Sequence, residues 1–515
     1  MNDVAFIIPN NSAGVYQKLS GKYSAIETPT WALLLAESCR AKGFKVKIID
    51  CLAENLTDKE ALVRLQDLNP RLISFVVYGQ NVNAGTTNMS GATRLSKYLK
   101  QNNIQQLISF FGSHVQALPK ETLQNEDSID FVFLNEGVYS LWNILNLDRI
   151  IVENLKTING IAFKQNNKII FTKPEKVVPT ERMDLDLPGY AWDLLPYEEK
   201  PFDLYRSPMW HAEYLENQRS PYAAIQTSLG CQFKCTFCMI NIINRNDNEE
   251  IGVSSNYSGM RYWSPEFIIK EFDKLLEYGV STIRIVDEMF LLNPKYYVPL
   301  CNLLKERNKN DNLRMWAYSR IDTVRRKDIL SLVRSAGIKW LCLGIESGDK
   351  RVRLEVSKGK FEDVDVEKVI SQVHDADIEV MANYIYGLPG DTKETIEKTY
   401  ELSLKLNTLG WNTYAAMALP GSQLYKKALD DKIKLPENYE GYSFHSYNTQ
   451  PLPTDHLKAF EVLKLRDEKF IEYHNSKNFL DKIEKKFGHK ARENIEDMTK
   501  IKLKRKIIDE NTSSR

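Results

Sequence analysis

Cys231, Cys235 and Cys238 stand in the run SLGCQFKCTFCMIN, a C-x3-C-x2-C cluster that follows the apolar stretch PYAAIQT. Three thiolates on one short loop leave a tetrahedral four-ligand site one ligand short. The occupant that suits them is a [4Fe–4S] cluster with three irons held by sulfur and the fourth left open. An open iron beside a strand end is a place where a small molecule can chelate and receive an electron. A zinc knuckle would need a fourth Cys or His at short spacing. The nearest His downstream of the loop is His374, more than a hundred residues on. A disulfide with one spare thiol is the other plain alternative.

Two sets of strands and helices must position this loop. From residue 1 to about 150, short β-rich runs (DVAFIIP, KVKIID, LISFVVYG, QQLISFFG, DFVFLNEG) alternate with helical patterns such as TWALLLAESCRAKG and ATRLSKYLKQN. Such alternation makes a parallel, doubly wound sheet, in which ligands bind beyond the carboxyl ends of the strands. The loops there are PNNSAG, YGQNVNAGTTN, FGSHV and NEGVYS. They offer Gly79, Gln80, Asn81, Asn83, Gly112, Ser113, His114, Glu136 and Gly137 as backbone approaches and hydrogen-bonding groups for a ligand. Residues 151–220 read as a connector that opens with a hairpin turning at Asn166-Asn167 and continues rich in proline and aromatics. From 221 to 430 strand and helix alternate six more times, predicting an open, partial TIM-type (β/α)6 barrel. The cysteine loop follows its first strand. Residues 431–515 read as a charged, mostly helical appendage with a frayed, solvated tail.

The predicted barrel gathers further polar residues at the same edge. Asp287-Glu288 follow the second strand, Ser319 and Arg320 end the third, and Glu346 and Ser347 end the fourth. Gly387 begins the Gly-Leu-Pro-Gly turn after the fifth. A strand-end Glu is commonly a helix cap or ion pair, and Pro-Gly is commonly a turn. Their repetition beside Cys231 favours a ligand site.

Composition narrows the class. A chain of 515 residues exceeds one core's usual size. Its 43% hydrophobic and 27% charged content describe an ordinary globular protein. A net charge of +1 supplies no global field for nucleic acid or an anionic membrane, so neither is an expected partner. The start, MNDVAFIIPNN, lacks the pattern of a secretory signal, and no run approaches the length of a membrane span. Cys39, Cys51, Cys301 and Cys342 lie in apolar or helical contexts suited to buried, reduced thiols. A cytoplasmic location is expected, which an oxygen-sensitive cluster also requires.

The cysteine loop resembles the signature of the radical S-adenosylmethionine (SAM) enzymes, with the aromatic Phe237 before the third cysteine. The stretches GIESGDKRV and YGLPGDTKET are similar to segments of radical SAM enzymes with an N-terminal cobalamin-binding domain, a class that includes radical methyltransferases and the magnesium-protoporphyrin ester cyclase. ETPTWALLLAESCRAKGFKVKIID, FGSHVQALPKETL and DFVFLNEGVYSLW look like that class's cobalamin fold. The resemblance covers roughly residues 3–430. It implies a [4Fe–4S] cluster on Cys231, Cys235 and Cys238, SAM held by Phe237, Glu288, Ser319, Arg320, Glu346, Ser347 and Gly387, and cobalamin against the Gly- and Asn-rich strand ends of the first domain. One departure matters: the Asp-x-His-x-x-Gly loop of classical cobalamin proteins is absent, and PNNSAG carries no His. His114 is therefore expected to touch a ligand's phosphate or amides and not cobalt.

The activity this implies is reductive cleavage of SAM followed by methylation of an unactivated carbon of a small molecule, with electrons from a flavodoxin- or ferredoxin-type donor. A cyclisation or oxidative rearrangement on the same cofactors is the alternative. Methylthiolation fits less well, because its N-terminal cluster cysteines are missing. A non-catalytic cobalamin- or SAM-sensing module would not need the complete electron-delivery loop.

Overall fold

In the computed structural model, the described residues are 2–79, 81–197, 204–207, 221–324, 327–355 and 362–512. Gln80 and most of the aromatic run SPMWHAEYLENQRSPY, read from sequence as a possible part of a substrate lid, lie outside them.

The first sheet consists of β1 (Asn2–Ile8), β2 (Val46–Asp50), β3 (Pro70–Val76), β4 (Leu107–Phe111), β5 (Phe131–Phe133), β6 (Ile161–Gln165) and β7 (Lys168–Phe171). Its order is β2-β1-β3-β4-β5-β6-β7, and β1 to β5 are parallel. Helices cover both faces, which is why Val4, Ala5, Phe6 and Ile7 are all buried instead of alternating. With β2 on one side of β1 and β3 on the other, the topological switch point falls between β1 and β3. The hairpin β6–β7 turns at Asn166 and Asn167, both at positive φ (51° and 60°), as a two-residue primed turn requires. It pairs antiparallel with β5, so the segment read as a connector begins as an extension of the first sheet.

The second sheet is the half-barrel: β8 (Tyr222–Ile225), β11 (Thr282–Ile285), β12 (Arg314–Arg320), β13 (Ile338–Glu346), β14 (Glu379–Tyr386) and β15 (Gly410–Ala415). Its neighbours are all parallel, in the order β15-β14-β13-β12-β11-β8. All six predicted strands are present. One element was not foreseen: β9 (Ser228–Cys231) pairs antiparallel with β10 (Gly259–Tyr262), placing Cys231 opposite Gly259.

Two features shape the half-barrel's interior. Closed barrels fill their lumen with branched apolar side chains. Here Trp411 and Thr413 face the helix Ala459–His474, where Trp411 stacks on Tyr473 and Arg466 donates to the Thr413 carbonyl. That leaves Asn412 and Tyr414 on the opposite, inner face, where Asn412 donates to Asn383 of β14. The open edge of β8 is met by the first domain: Thr28 Oγ1 donates to the Ala224 carbonyl and accepts its N–H, both at 2.9 Å.

The appendage is helical over Ala459–His474, Lys477–Phe487, His489–Lys500 and Lys506–Thr512. Its tail is more firmly held than its charge suggested. Arg505 is only 3% exposed, because its guanidinium binds both oxygens of Asp467 and the Ser446 carbonyl. Among the described residues no helix is long and apolar enough to cross a membrane.

Candidate functional site

Strand β9 carries Cys231 to the carboxyl edge of the half-barrel, and the turn after it brings Cys235 and Cys238 back beside it. Asp287, buried at the end of β11, anchors the strand's start. It accepts the Thr227 N–H (2.6 Å) and the hydroxyls of Thr227 (2.7 Å) and Ser228 (2.6 Å). Asn241 accepts the Cys231 N–H at 2.7 Å. Gly230, at φ +83°, has no room for a side chain: a Cβ would come within 2.3 Å of the Gly259 carbonyl. The glycine before Cys231 is therefore required by the ribbon.

All three thiols are free. Backbone N–H groups point at sulfur, Phe233 at Cys231 (3.4 Å) and Ile240 at Cys238 (3.5 Å). Burial pushes the Cys231 thiol up to about 12 and the Cys235 thiol up to about 11, the latter opposed by the charge of Arg320. Burial raises Cys238 as well. Such thiols give up their protons when a metal takes them as thiolates. Among the described residues no three Cys, His, Asp or Glu side chains converge as one metal ion would require. Three thiols spread along a loop, with amides directed at sulfur, fit the corners of an iron–sulfur cluster.

Glu288, Arg320 and Glu346 stand around this loop. The charge of Glu288 acts on Cys231 and Cys238, and those of Arg320 and Glu346 act on Cys235. Both glutamates are half-buried. Neither carboxyl group has a hydrogen-bond partner among the described residues. Burial pushes each carboxyl up to about 7. Glu346 sits at φ +66°, a conformation rare for a residue with a side chain and often found at functional sites. Arg320 is clamped by Asp322 through two 2.6 Å hydrogen bonds, and its guanidinium lies 3.8 Å from the Phe233 ring centre. Phe237 packs with Val352, from the helix after β13, and with Ile385, Leu388 and Ala416 at the ends of β14 and β15.

The remaining rim candidates make local contacts. Ser319 bonds the Thr323 hydroxyl at 2.7 Å. Ser347 is buried, accepts the Asp349 N–H and meets Thr399. The Gly387 N–H donates to Asp391, and the residue packs on Val462.

In the first domain a cleft opens at the β1–β3 switch point, lined by Ser12, Val15, Tyr16, Trp31, Tyr78 and Gly79 among others. Of the sequence candidates, Gly79 lines this cleft. Asn83 reaches across to the cysteine loop, accepting the Met239 N–H at 2.9 Å and lying 3.7 Å from Cys238 Sγ. Asn81 caps the short turn Val82–Ala84. Gly112 packs on the Val77 carbonyl and Gly137 on the Phe111 ring, while Ser113 donates to the Val82 carbonyl. His114 is buried, 3.2 Å from the Thr86 hydroxyl and edge-on to Tyr439, and burial pushes its imidazole down to about 4. Glu136 is a strut between the domains, accepting the Val178 N–H and pairing with Arg261 of β10 at 2.7 Å.

Sequence reasoning missed a polar cluster where the two domains meet. Glu27 of the first domain pairs with Arg284 of β11 and accepts the Tyr222 hydroxyl. Arg284 lies 4.9 Å from the Tyr318 ring centre, and Tyr16 and Tyr414 bear on the same group. A signal existed: in TIRIVD and MWAYSR, Arg284 and Tyr318 alternate with apolar residues, marking a polar inner face.

With this geometry in view, the comparisons with known proteins are specific. Residues 17–144 match the B12 binding domain and residues 225–403 the radical SAM superfamily. An uncharacterised methyltransferase of Pyrococcus horikoshii is 25% identical over 456 residues, covering 87% of this chain and 88% of the relative. The anaerobic magnesium-protoporphyrin IX monomethyl ester cyclase of Cereibacter sphaeroides is 22% identical, covering 86% of this chain and 66% of that protein. In fold, the chain is like the radical SAM methyltransferase TsrM of Kitasatospora setae, with a TM-score of 0.63 at 12% identity, covering 96% of this chain and 100% of that one. A B12 binding domain, a radical SAM half-barrel and a three-cysteine loop between them make this chain a member of the cobalamin-dependent radical SAM enzymes.

Proposed function

We propose that the protein methylates an unactivated carbon of a small molecule, using one SAM as the source of the hydrogen-abstracting group and a second as the methyl source. The observation that carries this reading is the facing of the two sites. The switch-point cleft of the first domain and the cysteine rim of the half-barrel are joined by Asn83 at Met239 and by Glu27 at Arg284, so both cofactors would share one chamber. When bound, the cluster supplies the electron for cleaving the SAM sulfonium bond, and cobalamin supplies methyl transfer.

The chain's own residues orient and enclose. Cys231, Cys235 and Cys238 would hold the cluster, with the Phe233 and Ile240 amides supporting the thiolates. Glu346 would accept from the SAM ribose and Glu288 from its amino group. Arg320, already fixed by Asp322, would supply the positive charge for the SAM carboxylate. Around the lumen, Tyr318 and Tyr414 offer ring faces and polar groups to a polar substrate. The domain boundaries at 220 and 430 are kept in this reading, and that at 150 moves past hairpin β6–β7, which belongs to the first sheet. An external flavodoxin- or ferredoxin-type donor and a reducing cytoplasm complete it.

The relationship to the ester cyclase supports a second reading, ring formation on the same cofactors. Anaerobic turnover with hydroxocobalamin, a reductant and SAM carrying a deuterated methyl group separates the two. Methylation yields 5′-deoxyadenosine and S-adenosylhomocysteine in equal amounts and puts the label in product. Cyclisation yields 5′-deoxyadenosine without matching S-adenosylhomocysteine. Absence of 5′-deoxyadenosine altogether would overturn both.

A further inference from the structure

The loop after β1 is held in a strained shape. Gln17 sits at φ 50°, ψ −132°, outside the regions open to a residue with a side chain. Such a conformation persists only where its surroundings over-determine it, and it points toward function. Here the surroundings are the C-terminal segment. Gln17 Nε2 donates to the carbonyls of His445 (2.6 Å) and Lys504 (3.2 Å), and the Lys504 N–H donates back to Gln17 Oε1 (3.2 Å). Ser443 donates to the Val15 carbonyl at 3.0 Å, and the Tyr16 ring lies against His445, with centroids 5.3 Å apart.

The segment is itself anchored at both ends of its span. Arg505 ties Asp467, the Ser446 carbonyl and the Thr449 hydroxyl together. Tyr439 donates to Glu126 on the first domain. What the clasped loop carries is one wall of the switch-point cleft, through Ser12, Val15 and Tyr16. Tyr16 also bears on Glu27, Arg284 and Tyr414, so it stands where the cleft opens into the lumen.

We propose that the C-terminal segment is a strap that seats the β1 loop over bound cobalamin, with Gln17 as its positioning residue and Tyr16 as the side chain set against the cofactor. The proposal rests on the placement of cobalamin in the switch-point cleft. Relaxing Gln17 redirects the chain at that point and takes Tyr16 out of the wall. The appendage thereby serves cofactor retention, although none of its helices touches the cysteine loop's sulfurs among the described residues.

The test uses the full-length, cluster-reconstituted protein and hydroxocobalamin as the probe, with the dissociation rate followed by its visible spectrum. Gln17→Ala and Arg505→Ala are each expected to speed cobalamin release at least tenfold while iron content stays at the wild-type level. Because both cut one strap, the double variant should release no faster than the quicker single. Gln17→Gly, which relieves the backbone but lacks the clamp, should also release quickly yet melt above Gln17→Ala. A dissociation rate unchanged in Gln17→Ala overturns the proposal even if Arg505→Ala fails to fold, and fully additive effects overturn the single-strap mechanism. A wild-type protein that takes up no hydroxocobalamin overturns the cobalamin placement instead.

Discussion

Glu346→Gln should make the cofactor-free protein more stable while weakening its hold on SAM. The wild-type carboxyl is pushed from 4.5 up to about 7, by burial first, with Arg320 opposing and Asp322 adding. The difference, 7 − 4.5, is about 2.5 units, or roughly 3 kcal/mol once the group is ionised. This is an upper bound, since a carboxylate that keeps some surface is partly screened. The sign follows from proton counts. Between about 4.5 and 7 the folded state holds the proton and the unfolded state has lost it, so stability falls as pH rises through that window. Below it the residue has no effect, and above it the full penalty applies. Glu346→Gln removes the penalty, so the variant should melt a few degrees higher than wild type at pH 8 and alike at pH 4. Bound SAM supplies the donors that the ionised group lacks, so the same change should weaken SAM binding by about 1.5–3 kcal/mol, the scale of a hydrogen bond to a charged group. That is roughly a 10- to 150-fold loss. Wild-type SAM affinity should also rise through about pH 7, with the variant correcting for titration of the SAM amino group. Anaerobic titration calorimetry and thermal melting decide the matter. A variant that melts lower at pH 8 and binds SAM as before would show that Glu346 is a structural group.

Other consequences are as direct. Wild-type protein reconstituted under nitrogen should hold about four irons and four sulfides per chain, and Cys235→Ala should lose them; a full complement in the variant would assign the ligand elsewhere. Asp287→Asn weakens the anchor of Thr227 and Ser228, and should cost about 3 kcal/mol in denaturant unfolding and lower cluster yield; equal cluster yield would detach the anchor from the loop. Arg261→Met leaves Glu136 buried and unpaired, a loss of about 3–5 kcal/mol, and adding Glu136→Gln should recover most of it by the same measurement. His114→Ala should leave the electron paramagnetic resonance spectrum of bound cobalt(II) without any loss of nitrogen coupling, because its ring packs on Thr86 and Tyr439; a change would place it under cobalt.

Much of this protein is written in local patterns. The three cysteines fall within eight residues, so their shared loop needs no knowledge of the fold. Five strands of the first sheet and six of the half-barrel follow from apolar runs spaced by helical periods, and Asn166-Asn167 specifies its own turn through two left-handed residues. Which strand-end residues face the rim was not legible in this way. The pairing of β13 with β14 shifts between Gly344 and Glu346, and a one-residue slip exchanges the faces of a strand. That bulge, with the positive φ at Glu346, turns Glu346 toward the cysteine loop and leaves Ser347 among the helices. Nor could spacing pair Glu27 with Arg284, Asn83 with Met239, or Gln17 with Lys504, which join residues far apart in the chain. Local periodicity decides what an element is and which edge bears its loop. Only packing of the two domains and the C-terminal segment decides which polar groups end up facing one another, because that depends on contacts no short stretch of sequence contains.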